Sequence, residues 1–289
     1  MHSKSFSIVI KKPIKDFKKN IVVDSDKSIS IRSFLIGSIC EGVSKVKNVL
    51  ESEDVFSTIN CLRKLNVKIK YQGKRTYEVF GRGLGSYTAK KNLLLDFGNS
   101  GTASRILTSI LSTTPNINVK LTGDKSLKKR SMKKLIKLMT KFGAEFFPKN
   151  KFFFPLRISS SNYPIGISYE SGTSAQLKSG VILAGLNSYG NTDITEKFRS
   201  RDHTENFLVE NKNAIKIDNG KIKKIKIYGK KNLSNFLMNV PGDPSSAAFF
   251  TALTLLKKKS YLKIKNIGLN PTRIGFYSLL KKSGAKISF

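Results

Sequence analysis

The sequence is short of the residues that metal chemistry draws on. It holds two Cys, Cys40 and Cys61, and two His, His2 and His203. No two of them stand at the spacing of a structural zinc site. Cys40 and Cys61 fall within or at the end of predicted helices and read as core residues. Long apolar runs are also missing, and none approaches the roughly 20 residues that span a bilayer. The N-terminus has a short apolar patch, Phe6–Ile10, read as a strand, but no signal-peptide core or cleavage site. These absences lead to the expectation of a soluble, cytoplasmic protein with no membrane partner and no metal.

Acidic residues are scarce, 19 against 53 basic ones, for a net charge of +34. Such a charge fits a nucleic-acid partner. However, only 10 of the cations are Arg and 43 are Lys. Most lysines read as solvated, as in Lys221-Ile222-Lys223-Lys224-Ile225-Lys226-Ile227, where they mostly alternate with isoleucines along a half-exposed strand. A base-stacking surface needs aromatics interleaved with the cations. The dense aromatic cluster, Phe152-Phe153-Phe154, reads instead as a buried strand, so no specific nucleic-acid partner is expected. The few arginines carry more information, because a guanidinium is a planar, two-pronged donor that Lys cannot replace. Arg32, Arg105, Arg130, Arg201 and Arg273 all stand at repeated positions.

The chain repeats itself about every 72 residues, a period that fixes an architecture. A small-residue helix start recurs at Asp26-Lys27-Ser28-Ile29-Ser30, Gly98-Asn99-Ser100-Gly101-Thr102, Ser171-Gly172-Thr173-Ser174-Ala175 and Gly242-Asp243-Pro244-Ser245-Ser246. Each opens an apolar helix, predicted at 29–40, 103–111, 175–186 and 247–256. Strands are expected next at 45–49, 118–122, 192–195 and 261–267. Amphipathic helices follow at 54–65, 131–142, 203–209 and 274–282. Asn66, Gly143, Asn213 and Gly284 then mark helix stops, since Asn and Gly tolerate the left-handed conformation such stops use. A further strand is expected after each. Each unit thus holds about two helices and three or four strands, with its apolar helix inside and its amphipathic helix outside.

Helix N-termini with exposed N–H groups attract anions. Lys27 and Arg32 flank the first start, and Arg105 follows the second. Lys125, Lys128, Lys129 and Arg130 follow the second strand; Arg199 and Arg201 follow the third. If like ends cluster, these converge on a basic, Ser-rich cleft suited to small phosphorylated or carboxylated ligands.

The segments 26–33, 95–105, 121–130, 174–179, 200–205, 240–246 and 270–273 resemble, in order, the signatures of the 5-enolpyruvylshikimate-3-phosphate synthase family. They read Asp-Lys-Ser-Ile-Ser-Ile-Arg-Ser, Leu-Asp-Phe-Gly-Asn-Ser-Gly-Thr-Ala-Ser-Arg, Leu-Thr-Gly-Asp-Lys-Ser-Leu-Lys-Lys-Arg, Ser-Ala-Gln-Leu-Lys-Ser, Ser-Arg-Asp-His-Thr-Glu, Val-Pro-Gly-Asp-Pro-Ser-Ser and Asn-Pro-Thr-Arg. The Ser-Ala-Gln and Arg-Asp-His-Thr-Glu forms are similar to the class II bacterial branch.

The resemblance implies an α+β (α/β) fold, the inside-out α/β barrel of repeated βαβαββ units found in enolpyruvyl transferases, with four of its six units in this chain. It implies that residues 1–19 supply a strand of a first domain. Residues 20–239 would form a complete second domain of three units, and 240–289 would return to the first. The activity implied is transfer of enolpyruvate from phosphoenolpyruvate to the 5-hydroxyl of shikimate 3-phosphate, releasing phosphate, by a monomer that uses no metal and no organic cofactor.

Shikimate 3-phosphate would meet Lys27, Ser28, Arg32, Ser174, Ala175, Gln176, Ser200 and Arg201. Phosphoenolpyruvate would meet Lys27, Asn99, Gly101, Arg130 and Gln176, with Lys27 catalytic. Gly101 implies a glyphosate-sensitive type of pocket. With two units absent, this chain is expected to bind shikimate 3-phosphate in part, to lack turnover alone, and to expose apolar surface. Asp26, Asp124, Asp202 and Asp243 read as turn or cap residues, as does His203, rather than as the acid and base. A UDP-N-acetylglucosamine enolpyruvyl transferase is the rival within the same fold. It is disfavoured because Cys40 and Cys61 are not placed as its loop Cys.

Overall fold

A computed structural model describes residues 7, 9 and 11–289. They divide into a larger unit, residues 25–241 with 270–272, and a smaller one, residues up to 24 with 242–269 and 273–289. The strand expected at Phe6–Ile10 lies outside the described residues apart from Ser7 and Val9, which belong to no strand.

The chain begins with β1 (Lys18–Val22) of the smaller unit, then enters the larger one through α1 (Lys27–Ile39), β2 (Glu41–Lys47), α2 (Glu53–Lys64), β3 (Lys68–Tyr71) and β4 (Tyr77–Arg82). The second repeat is β5 (Leu94–Asp96), α3 (Gly101–Thr113), β6 (Asn118–Thr122), the short α4 (Lys125–Lys128), α5 (Lys133–Lys141), β7 (Glu145–Phe147) and β8 (Leu156–Ser159). The third is β9 (Ser168–Ser171), α6 (Ala175–Leu186), β10 (Asn191–Glu196), α7 (His203–Leu208), β11 (Ile215–Asp218) and β12 (Lys223–Tyr228), and it leads to β13 (Leu237–Asn239). The smaller unit resumes with α8 (Pro244–Leu255), β14 (Tyr261–Lys265) and α9 (Gly275–Lys282).

The larger unit carries three four-stranded sheets of one design, ordered β13-β2-β4-β3, β5-β6-β8-β7 and β9-β10-β12-β11. In each, the first pair is parallel and the other two are antiparallel. Among the described residues the sheets stay separate and form no closed barrel. In the smaller unit, β1 pairs in parallel with β14. The first strand of the repeat is therefore exchanged: β1 precedes α1 in the chain but pairs with β14, while β13 precedes α8 but pairs with β2.

The apolar helices α1, α3 and α6 are the inside of the larger unit. Ile31, Phe34, Ile106, Leu107, Val181 and Leu183 are all fully buried, and burying such a side chain is worth about 1.5–3 kcal/mol. These helices are also rich in Ser, which is tolerated because each hydroxyl bonds locally. Ser33 donates to the Ile29 carbonyl, Ser112 to Thr108 and Ser179 to Ala175, the i−4 pattern that satisfies a buried hydroxyl. Close helix contact sets one residue: a Cβ on Gly180 of α6 would lie 2.3 Å from Ser109 Oγ on α3. The amphipathic α2 and α5 bury one face each, through residues such as Val55, Ile59 and Leu62, or Leu135, Ile136 and Met139.

The smaller unit is thinner. Its core is Val23, Ala247 and Tyr277, with Ile21, Ile264, Ile267 and Ile274 packed around them. Helix α8 is as apolar as its counterparts, yet Phe249 and Leu256 on and just after it are 79% and 81% exposed.

Some expectations need correction. Asn66, Gly143 and Gly284 do adopt positive φ (64°, 94° and 92°), but Asn213 does not. There the stop is a run of turns closed by Ala214 N–H and Ile215 N–H on the Asn211 carbonyl, so no left-handed residue is needed. No strand forms at Ala285-Lys286-Ile287; among the described residues no strand lies alongside to complete the ladder. Phe152-Phe153-Phe154 is not a strand either. Pro155 lacks the N–H that a ladder needs, and β8 starts after it. Phe154 stacks on Phe97, with ring centroids 5.9 Å apart, while Phe153 is exposed.

Candidate functional site

The starts of α1, α3 and α6 lie together in the larger unit, joined by side-chain bonds. On α6, Gln176 Nε2 donates to Thr102 Oγ1 on α3 at 3.1 Å. On α1, Arg32 Nη2 donates to Ser179 Oγ on α6 at 3.0 Å. Each start is capped by its own small polar residue. Asp26 accepts from Ile29 N–H at 2.9 Å, Ser100 from Ala103 N–H at 3.1 Å and Ser174 from Leu177 N–H at 3.4 Å. A cap takes only one of the orphan donors at a helix start, so three positive helix ends converge on one region.

Around the second start, Gly101 sits between two guanidinium groups. A Cβ on Gly101 would lie 3.0 Å from both Arg105 Nη1 and Arg130 Nη1. Arg105 folds back along α3 to donate to the Gly101 carbonyl at 3.1 Å. Arg130 donates to Asn99 Oδ1 at 2.6 Å and to Ser126 Oγ at 3.3 Å. Burial, and then the neighbouring charge of Arg130, lower the pKa of Arg105 from its ordinary value. Asn99, Gly101 and Arg130 are thus brought together, and two like charges are held face to face. That is the electrostatics of an anion site. The sequence marks Arg105 as a cation near this start without a role in the site. Its spacing of four from Gly101 was the available signal, because helical side chains lean toward the N-terminus.

Around the first start, Lys27 is half-exposed and pairs with Asp54 of α2 at 2.9 Å. Arg32 is 2% exposed. It donates to Ser28 Oγ, to the Ser28 carbonyl at 3.3 Å, to Thr204 Oγ1 at 3.0 Å and to Ser179. Reaching a ligand would mean breaking this buried lattice. Ser28 lies next to it and is only partly covered.

Around the third start, Ser174, Ala175 and Gln176 are partly exposed. Ser200 is buried, and both its N–H and its hydroxyl donate to Glu196 Oε1, at 2.8 and 2.7 Å. Arg201 follows it and is exposed. Arg199 is turned aside: its guanidinium donates to Asn219 Oδ1 and to the carbonyls of Asn219 and Gly220.

Beneath this lies a buried cluster that the sequence did not suggest. Lys178 Nζ sits 2.8 Å from both Glu196 Oε1 and Glu205 Oε1, and Lys223 lies 3.2 Å from Glu205 Oε1. Lys178 and Glu196 have no exposed side-chain surface. Lys178 and Lys223 thus depart from the reading of lysines as solvated. Burial alone would raise the pKa of Glu196, but hydrogen bonds from Lys178 and Ser200, with the Lys178 charge, outweigh it and hold the carboxylate below its ordinary value.

Asp124 and Asp243 cap helix starts as expected, accepting from Leu127 N–H at 2.6 Å and Ser245 N–H at 2.8 Å. Asp202 does not cap α7. Its Oδ1 accepts from Asn270 Nδ2 at 2.7 Å and Thr272 Oγ1 at 3.2 Å, and His203 is buried rather than placed as a cap. Arg273 is tied to the start of α8, donating to Asp243 at 2.7 Å and Ser245 Oγ at 2.9 Å. Both thiols are inert: burial pushes Cys40 and Cys61 up to about 12, so neither supplies a thiolate near neutral pH. No helix of the described residues is long and apolar enough to cross a membrane.

This arrangement, a repeated βαβαββ unit with positive helix ends gathered together, is the enolpyruvyl transferase fold. The sequence profile of EPSP synthase (3-phosphoshikimate 1-carboxyvinyltransferase) matches residues 11–289, and the chain belongs to that family. It is 39% identical over 269 residues to the 3-phosphoshikimate 1-carboxyvinyltransferase of Bacillus subtilis (strain 168), covering 92% of this chain and 61% of the relative. To the protein of the same name from Petrotoga mobilis it is 38% identical over 283 residues, covering 95% and 63%. A solved EPSP synthase from Acinetobacter baumannii superimposes with a TM-score of 0.83 at 35% identity, covering 94% of this chain and 61% of that one. The chain thus spans about three-fifths of the length of the curated relatives it matches.

Proposed function

We propose that the chain takes part in enolpyruvyl transfer from phosphoenolpyruvate to the 5-hydroxyl of shikimate 3-phosphate. The hydroxyl gives up its proton and adds to C2 of the enol while C3 takes a proton; phosphate then leaves C2 as C3 loses a proton, which restores the double bond. No metal or organic cofactor enters this scheme. The observation that carries the reading is Gly101 between the Arg105 and Arg130 guanidinium groups, at a helix start bonded through Thr102 and Gln176 to the start of α6.

In this reading the phosphoenolpyruvate anion lies against the Gly101 backbone, with Asn99, Arg130 and Gln176 around it. The absence of a Cβ lets it approach the helix end. Shikimate 3-phosphate lies along Ser28, Ser174, Ala175 and Gln176, with its phosphate toward Ser200 and Arg201. Lys27 stands between the two as a point charge. Arg32 contributes by fixing Ser28, since its own donors are spent on Ser28, Ser179 and Thr204. The rival transferase acting on a UDP-sugar is disfavoured by the two inert thiols.

The test is titration calorimetry of the 289-residue chain with shikimate 3-phosphate and, separately, with a UDP-sugar. Binding of shikimate 3-phosphate in preference to a UDP-sugar is expected. No binding of shikimate 3-phosphate, or a preference for the UDP-sugar, would overturn the reading.

A further inference from the structure

Four charges are buried together under the β10–α7 loop: Lys178 on α6, Glu196 at the end of β10, Glu205 on α7 and Lys223 on β12. Stability alone is a weak reason to bury ion pairs, because desolvation offsets most of their attraction. The geometry shows what this cluster holds. Glu196 Oε1 takes the N–H and the hydroxyl of Ser200 and the ammonium of Lys178 on one oxygen.

The residues around Arg201 are fixed on both sides. Ser200 is bound to Glu196. Asp202 accepts from Asn270 and Thr272. Arg199 is fastened to the Asn219–Gly220 turn. Arg201 itself stands exposed between these anchors. An Arg loses less on binding an oxyanion when its backbone is already in place.

We propose that Glu196, backed by Lys178, is a positioning residue that holds Ser200 and so presents Arg201 to an oxyanion of the bound ligand. This rests on the reading above that the ligand is shikimate 3-phosphate. Glu196 touches no substrate in this role; it acts through the loop.

The test uses the full 289-residue chain. Shikimate 3-phosphate, and inorganic phosphate as a probe of the anion alone, are titrated into the wild type, E196A, R201A and the double variant. Hydrogen exchange at the Ser200 amide is followed in parallel. E196A and R201A are each expected to weaken shikimate 3-phosphate binding about tenfold, the scale of one charge-assisted hydrogen bond. The double variant should bind no worse than R201A. Ser200 amide protection should fall in E196A while the α6 amides stay protected. Should E196A fail to fold, E196Q keeps the shape and one acceptor oxygen, and it should show a smaller loss that again disappears in the R201A background.

Additive losses, wild-type affinity in the Glu196 variants, or unchanged protection of the Ser200 amide would overturn the proposal. If the wild type ignores shikimate 3-phosphate, the substrate reading falls by itself. The inorganic phosphate titrations and the exchange data then decide whether Glu196 positions an anion-binding loop.

Discussion

The guanidinium of Arg105 donates to the carbonyl of Gly101 at 3.1 Å, so the cation that follows the helix start leans back over it. This places charge against a buried stretch of backbone that carries no side chain, and it makes Gly101 a site where one methyl group matters. In G101A the new Cβ would lie 3.0 Å from the tips of both Arg105 and Arg130. Both tips belong to flexible side chains, so they shift by a few tenths of an ångström and the fold survives. The expected result is an unchanged melting temperature. Phosphoenolpyruvate should bind a few-fold more weakly, and glyphosate should lose more because it is the longer molecule. Calorimetric titration of each in the presence of shikimate 3-phosphate measures this. Equal losses for the two ligands would contradict the placement of the anion against Gly101.

Arg105 and Arg130 face the same point with the same charge, and burial adds to the strain on Arg105. An anion should therefore stabilise the protein, while removal of one cation should stabilise the empty protein. Inorganic phosphate is expected to raise the melting temperature of the wild type, and the rise should shrink as salt screens the site. R105M should melt at or above the wild-type temperature without phosphate and gain little when it is added. An R105M protein that still responds fully to phosphate would remove Arg105 from the site.

How much of this could be read in the sequence depends on whether local chemistry was decisive. Helix α6 and strand β6 were bounded correctly at Ala175–Leu186 and Asn118–Thr122, because a polar start, an apolar run and a turn mark both ends locally. The caps at Asp26 and Asp124 are local too. Lys178, Glu196, Glu205 and Lys223 could not be read in this way. They come from α6, β10, α7 and β12, and nothing local pairs them until packing brings them together. Asp202 misled for the same reason: its partners Asn270 and Thr272 lie far along the chain.

The helix stops show the difference in a form that stability can measure. Asn66 holds φ at 64°, whereas Asn213, in the same place in the repeat, is not left-handed. Both are exposed, so burial does not separate them. N66A puts a Cβ into the left-handed region and should destabilise the chain by about 1 kcal/mol, and N66G should be close to neutral. N213A should stay within about 0.5 kcal/mol of the wild type. Urea unfolding of the three variants decides this, and equal costs for N66A and N213A would refute the distinction.

The buried cluster also sets an acid limit. Glu196 and Asp202 are both held below their ordinary pKa values. In each, burial works against the shift and is outweighed: at Glu196 by Lys178 and Ser200, at Asp202 by Asn270, the Lys223 charge and Thr272. A carboxylate whose folded pKa is depressed binds fewer protons folded than unfolded. Its stabilisation is fully present above the unfolded value and is lost as pH falls through the folded one. Stability should therefore hold near neutral pH and start to fall below the ordinary values of 4.5 for Glu196 and 3.8 for Asp202. E196Q should lower stability at pH 7 and flatten the upper part of this acid decline. K178M leaves Glu196 and Glu205 with Lys223 alone, and breaking such a buried pair costs about 3–5 kcal/mol. Urea midpoints of the wild type, E196Q and K178M between pH 3 and pH 7 test this. An E196Q profile parallel to that of the wild type would show that Glu196 is not the group that titrates.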